Sequence, residues 1–171
     1  MLTFTRQFTV LAALFLLCAN AALGQKYPQE GDMVPSFKVA MSDGSTVNID
    51  DLRGKVVVVS FWATWCHYCR EELREVQDKL IDPFASKGLV FLPISRGEAA
   101  DTVRAFLKEI GYGFVSGIDD KTEIFPLFAD TGIPRNYLID RSGRIASIGI
   151  GYSEEIFDAF VDDVARVIKK K

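Results

Sequence analysis

The chain has 171 residues, a length that suits one domain better than two. Its 20 basic and 23 acidic residues are scattered, leaving a formal charge of −3, so no basic stripe points to nucleic acid. The terminal Lys169-Lys170-Lys171 suits the negative end of a C-terminal helix and needs no anionic partner.

Residues 1–24 read as an export signal. An uncharged run from Thr9 to Gly24 follows Arg6, and Ala22-Leu23-Gly24 ahead of Gln25 reads as a cleavage site. Two alternatives stay open. The uncharged run from Phe8 is at the lower edge of what spans a bilayer, which suits an uncleaved anchor. Cys18 suits a lipid-modified cysteine, although the bulky Leu17 stands where a small residue is expected. All three place the rest of the chain outside the cytoplasm, periplasmic or on the outer face of the membrane. Without residues 1–24 the chain buries roughly 68–70% of its unfolded surface and needs no staple.

Residues 25–35, polar and holding Pro28 and Pro35, read as a linker ahead of a domain over 36–171. Short extended runs around Asp43-Gly44 predict a hairpin. The β-branched run 55–62 predicts a central strand covered on both faces. Cys69, Leu73, Val76 and Leu80 then make one inward helical stripe, which Asp82-Pro83 ends or bends. A buried strand over 88–95 precedes a helix over 98–111 that stops at Gly111. A short strand over 113–118 and a short helix over Glu123–Ala129 follow. Residues 133–151 predict two strands joined at 140–143, and Ser153 caps a final amphipathic helix. The alternation indicates an α/β layered domain with antiparallel strands near its end.

Cysteine usage narrows the chemistry. With the first 24 residues gone, only Cys66 and Cys69 remain. A structural zinc site needs four ligands, and His67 is the single histidine of the chain. Covalent haem attachment needs histidine after the second cysteine, where Arg70 stands. A disulfide closing two residues adds little stability. A strand feeding a helix puts Cys66 at the helix N-terminus, where free N–H groups and the dipole favour an anion. A dipole effect of ~1–2 kcal/mol lowers a thiol pKa by roughly one unit, toward the ambient pH at which disulfide attack is most efficient. Cys66 therefore reads as the exposed nucleophile and Cys69, one turn on, as the sheltered resolving thiol.

"VVVSFWATWCHYCREE", then "GIPRNYLID", then "GRI" before the last helix resemble the exported thioredoxin-like proteins of the TlpA/ResA group over roughly residues 31–168. The resemblance implies a thioredoxin-like fold: a central mixed β-sheet, helices on both faces, an N-terminal β-hairpin extension and a helix-strand insertion near residues 96–118. It implies that Trp65 packs beside the first sulfur. It also implies that Pro134 is cis and that the Ile133 backbone is offered to a substrate strand. Glu72 falls where the group often carries an acid that takes a proton from the second cysteine; a solvated helix glutamate is the plain alternative. The position of the buried aspartate of cytoplasmic thioredoxin is Ser60 here, and Arg74 stands where a later proline often sits, which predicts a straighter helix. Arg135 follows the expected cis proline in place of a small residue. Arg135 and protonated His67 are candidates for stabilising the Cys66 thiolate, with plain solvation as the alternative.

The expected activity is thiol-disulfide exchange with protein disulfides or dithiols through a mixed disulfide, more in keeping with reduction than oxidation. The group's reducing roles include cytochrome c maturation. An unidentified redox partner would recycle the site. No cofactor beyond the reversible Cys66–Cys69 disulfide and no metal are expected, and any membrane association would run through the N-terminal segment. Two other functions are distinguishable: a peroxiredoxin-type thiol peroxidase, whose motif has threonine where Ala63 stands, and a copper(I) chaperone using the pair as soft ligands.

Overall fold

The computed structural model describes residues 26–170. The expected export signal, its cleavage after Gly24 and Cys18 lie outside the described residues. Among those described, no helix is long and apolar enough to cross a membrane.

The hairpin forms as the turn chemistry predicts, from β1 (Lys38–Met41) and β2 (Thr46–Asn48). The Asp43 carboxylate accepts the Ser45 N–H, and Gly44 takes a φ of 89°. The run read as a central strand is β3 (Val56–Trp62), buried at every residue. It feeds α1 (His67–Val76). Then come β4 (Leu89–Arg96), α2 (Ala100–Ile110), β5 (Gly117–Asp119), β6 (Arg135–Ile139), β7 (Ile145–Ile150) and α3 (Glu154–Lys169). Ser153 caps α3 by accepting the Ile156 N–H.

The seven strands form one mixed sheet in the order β2-β1-β5-β4-β3-β6-β7. β3 pairs parallel with β4 and antiparallel with β6, so its β-branched residues need partners on both faces. Alternation along β3 divides the core. Val56, Val58 and Trp62 face α1, α2 and α3, whereas Val57, Val59 and Phe61 face Phe125, Phe128, Phe37 and Ile49. Helical segments thus cover both faces unequally: the three α-helices lie on one, and on the other the turns Ile49–Leu52 and Phe125–Leu127 are 3₁₀.

Four expectations shift in detail. The strand expected over 113–118 begins at Gly117, because only Gly117–Asp119 finds ladder partners, on β4 and β1. There β5 attaches the N-terminal hairpin to the sheet. A Cβ on Gly117 would meet Val39 Cγ2 at 2.7 Å, so only glycine allows that approach. The segment read as a linker is laced to the β6–β7 hairpin. Gly31 N–H donates to Ile145 O, Val34 N–H donates to Gly143 O, and Val34 is buried. The helix after the cysteines changes its winding. After Val76 it widens into a π turn over Gln77–Ile81, in which Asp82 N–H reaches back to Gln77 O. Nor does Pro83 end it: an α turn (Asp82–Phe84) and a 3₁₀ turn (Ala85–Lys87) follow, and Gly88 at φ 92° stops it. Pro83 lacks an N–H and would crowd the carbonyl four residues back, and the wider turn accommodates both.

Candidate active site

β3 delivers the chain to a tight turn at residues 63–65, where Cys66 N–H donates to Ala63 O at 3.1 Å. Cys66 keeps extended backbone angles (φ −82°, ψ 108°), which makes it the N-cap of α1, and its Sγ accepts the Cys69 N–H at 3.2 Å. The sulfur therefore sits at the unsatisfied N–H groups of the helix. A disulfide joins Cys66 to Cys69, with Cα atoms 5.3 Å apart.

Cys66 was expected to be openly exposed. It is 7% exposed, against 0% for Cys69, so the order of access holds but the opening is narrow. The reason is the crossing loop at 131–134: Ile133 O lies 3.7 Å from Cys66 Sγ. The Ile133–Pro134 bond is cis, and Gly151 N–H donates to Pro134 O at 2.9 Å, which ties this loop to the end of β7. Trp65 is 67% exposed and Tyr68 60% exposed, so two aromatic side chains stand free beside the narrow opening. His67 is also exposed, its ring edge-on to Tyr68.

Glu72 is not a solvated helix residue. It lies three residues beyond Cys69 on the same buried face of α1 and is only 2% exposed. Asn136 Nδ2 donates to its Oε2 at 2.9 Å, and Ser60 Oγ makes a long 3.5 Å contact to Oε1. Burial, which disfavours the charged carboxylate, raises its pKa to about 8. Ser60, which cannot itself act as a buried base, thus contacts a carboxyl supplied by the helix. Asn136 went unseen in the sequence; its only local signal is an amide between Arg135 and Tyr137 at the start of β6.

Glu98 was also missed. Its Oε2 accepts Thr64 N–H at 2.8 Å and Ser95 O–H at 2.7 Å, and Thr64 O–H donates to Oε1. One carboxylate from the start of the insertion therefore fixes the turn just ahead of Trp65 and Cys66. The residues are 34 apart in sequence, and no spacing rule joins them.

Arg135 is not brought to the sulfur. Along β6, Asn136 and Leu138 face the side of Cys69 and Glu72, and Tyr137 and Ile139 face the other, which puts Arg135 with the latter. Its guanidinium donates to Thr131 O (3.2 Å) and Gly132 O (3.4 Å). Arg135→Ala is therefore expected to leave the pH midpoint of Cys66 alkylation in the reduced protein within about 0.3 units of wild type. A fall in reactivity at neutral pH with a raised midpoint would restore Arg135 as a thiolate partner.

Among the described residues, no group of three or more His, Cys, Asp or Glu side chains converges to hold a metal ion. The arrangement present is a pair of sulfurs joined by one bond, with a buried carboxyl of raised pKa one turn beyond the inner one.

Comparison with known proteins agrees with this geometry. The model of the AhpC/TSA family matches residues 30–148. Thiol-disulfide oxidoreductase ResA of Bacillus subtilis (strain 168) is 27% identical over 163 residues, covering 91% of this chain and 89% of its own. ResA of Oceanobacillus iheyensis is 30% identical over 161 residues, covering 91% and 83%. Among solved structures, one from Bacteroides thetaiotaomicron superposes with a TM-score of 0.79 at 34% identity, covering 84% of this chain and 92% of that one. A thiol:disulfide interchange protein of the thioredoxin family from Chlorobium tepidum TLS gives 0.64 at 27% identity, covering 86% and 99%.

Proposed function

The chain belongs to the AhpC/TSA family and is a TlpA/ResA-like thiol-disulfide oxidoreductase of the thioredoxin superfamily, and from that premise we propose that it reduces protein disulfides outside the cytoplasm. The observation that carries the reading is the pairing of an N-capping Cys66 under Ile133 with a buried Glu72 one turn beyond Cys69.

In the dithiol state the Cys66 thiolate attacks one sulfur of a substrate disulfide. The substrate S–S bond breaks, its second sulfur leaves as a thiolate that takes a proton from water, and a mixed disulfide forms. Glu72, as carboxylate, accepts the Cys69 proton. The Cys69 thiolate then attacks Cys66 Sγ, and the remaining substrate sulfur leaves as a thiolate. Two electrons have passed to the substrate and the Cys66–Cys69 disulfide has closed. In the disulfide state Glu72 has a pKa of about 8, so it is mostly protonated at pH 7. When a recycling dithiol reopens the bond by attacking Cys66 Sγ, that proton is in place for the departing Cys69 sulfur. Water is excluded there, so without such a group a bare thiolate would form in an apolar site.

Trp65, Tyr68 and the Ile133 backbone form the surface on which a substrate segment would lie. Reduction of apocytochrome disulfides during cytochrome c maturation belongs to this reading through the group's resemblance. The peroxidase reading lacks its threonine: Ala63, fully buried, occupies that position.

Cys69→Ala tests the proposal. Expressed with its N-terminal segment, this variant is expected to accumulate a dithiothreitol-sensitive adduct on Cys66 that mass spectrometry resolves into a small set of exported proteins. A second substitution at Cys66 should abolish it. If no adduct forms while Cys66 still reacts with small alkylating reagents, a dedicated protein substrate is excluded.

A further inference from the structure

A pocket of about 220 Å³ opens between α1 and α2, lined by Arg70, Arg74, Phe106, Ile110 and Tyr112. It is smaller than the roughly 300–1,000 Å³ typical of drug-sized ligand sites, and suits side chains of a protein partner. One wall carries charge. Arg70 and Arg74 are one turn apart on the exposed face of α1, continuing the row that begins at Cys66. Arg74 is paired with Glu71 at 2.5 Å, but Arg70 forms no ion pair among the described residues. Its guanidinium instead lies 5.7 Å from the centre of the Phe106 ring. The opposite wall is apolar and comes from the insertion. Ile110 is 37% exposed, and Tyr112 stacks on Phe114 at 5.2 Å and points its hydroxyl at Arg70 O.

We propose that this pocket is a docking site for the disulfide substrate, taking an acidic side chain next to an aromatic or aliphatic one. The inference rests on the disulfide-exchange reading above and names the class of substrate that it serves. Charge decides the occupant: the unpaired Arg70 guanidinium, with the Glu71-paired Arg74 one turn on, favours a carboxylate with an apolar neighbour for the apolar wall and disfavours a lysine. Helix geometry sets the register. Arg70 and Arg74 lie about 6 and 12 Å from Cys66 along the axis, so an extended chain bonded to Cys66 brings its second to fourth neighbours to them. The helix-strand insertion thus supplies the second wall of a recognition cleft.

The test uses peptides whose single cysteine carries a chromophoric aryl thiol in disulfide linkage. Attack by the reduced protein releases the aryl thiolate, and closure of Cys66–Cys69 frees the peptide thiol, one of each per protein. Four peptides place Glu-Phe or Lys-Phe three to four residues before or after the cysteine. The expected result at low salt is single-turnover release roughly 5–10-fold faster from one Glu-Phe peptide than from its Lys-Phe counterpart. That ratio should fall toward one at high salt and in Arg70→Gln/Arg74→Gln, and invert in Arg70→Glu/Arg74→Glu. Equal rates in the wild type, or a ratio that survives both double variants, would overturn the docking site while leaving disulfide exchange in place. Failure of the wild type to release thiolate from any peptide would overturn the exchange reading itself.

Discussion

Glu72→Gln is expected to slow resolution of the mixed disulfide about a hundredfold at neutral pH and to remove the carboxyl's share of the pH dependence of that step. The size follows from the usual worth of a positioned acid-base group, 10²–10⁴-fold, taken at its lower end because a thiol ionises more readily than most leaving groups. In the wild type the rate should climb with pH as the carboxyl, raised to about 8 in the disulfide state, ionises. Glutamine keeps an acceptor for Asn136 but cannot take a proton, so the carboxyl's part of the climb should vanish and only ionisation of the Cys69 thiol itself should remain. Stability moves the other way. Below about pH 4.5 the carboxyl is protonated in both folded and unfolded chains. Between there and about 8 the unfolded chain has released its proton while the folded chain holds it, and stability falls by about 1.4 kcal/mol per unit. The total loss is of order 3–5 kcal/mol for the oxidised protein. Urea titrations at pH 5 and 8.5 should show this loss in the wild type and much less of it in Glu72→Gln. Identical pH dependence in both proteins would remove Glu72 from the proton path.

Asp119→Ala should be the costliest single change outside the cysteine site, at about 3–5 kcal/mol. Asp119 is 3% exposed at the end of β5, and its carboxylate accepts three backbone N–H groups: Glu123 at 2.7 Å, Ile124 at 3.0 Å and Phe125 at 2.9 Å. Alanine leaves these donors without partners, two of them buried, and each unsatisfied group costs ~1–3 kcal/mol. The same bonds set the turn in which Thr122 is held at φ 55°. That turn lays Phe125 and Phe128 against Phe61, at ring distances of 5.2 and 5.0 Å, and leads on to the loop over Cys66. Asp119→Asn retains one oxygen but turns an amide N–H toward one of the donors, so an intermediate loss is expected. Equilibrium unfolding of the oxidised protein reads both variants. A loss under 1 kcal/mol in Asp119→Ala would mean that water replaces the carboxylate.

Much of the fold is written locally. The run 56–62 suits a strand covered on both faces, the Asp43-Gly44 turn bends without strain, and Ser153 caps the helix that follows it. Each depends on residues within one turn or one strand. The cysteine spacing is local in the same sense: one helical turn brings the sulfurs within bonding reach, and the strand ahead makes Cys66 a cap.

The environment of that pair is a matter of tertiary structure. The spacing of Cys69 and Glu72 puts them on one helix face, but only the approach of β6, with Asn136 facing it, makes that face a dry pocket and lifts the carboxyl toward 8. Arg135 follows Pro134 directly, yet strand alternation sends its guanidinium away from the sulfur to the Thr131 and Gly132 carbonyls. Glu98 reaches Thr64 across 34 residues, and the 26–35 segment finds its partners on the distant β6–β7 hairpin. The cysteine pair and the helix that presents it were legible before folding, because they depend on bonds and dihedrals between near neighbours. Folding alone decided how wet, how charged and how accessible those atoms are, because solvation is fixed by whichever distant surfaces come to cover them.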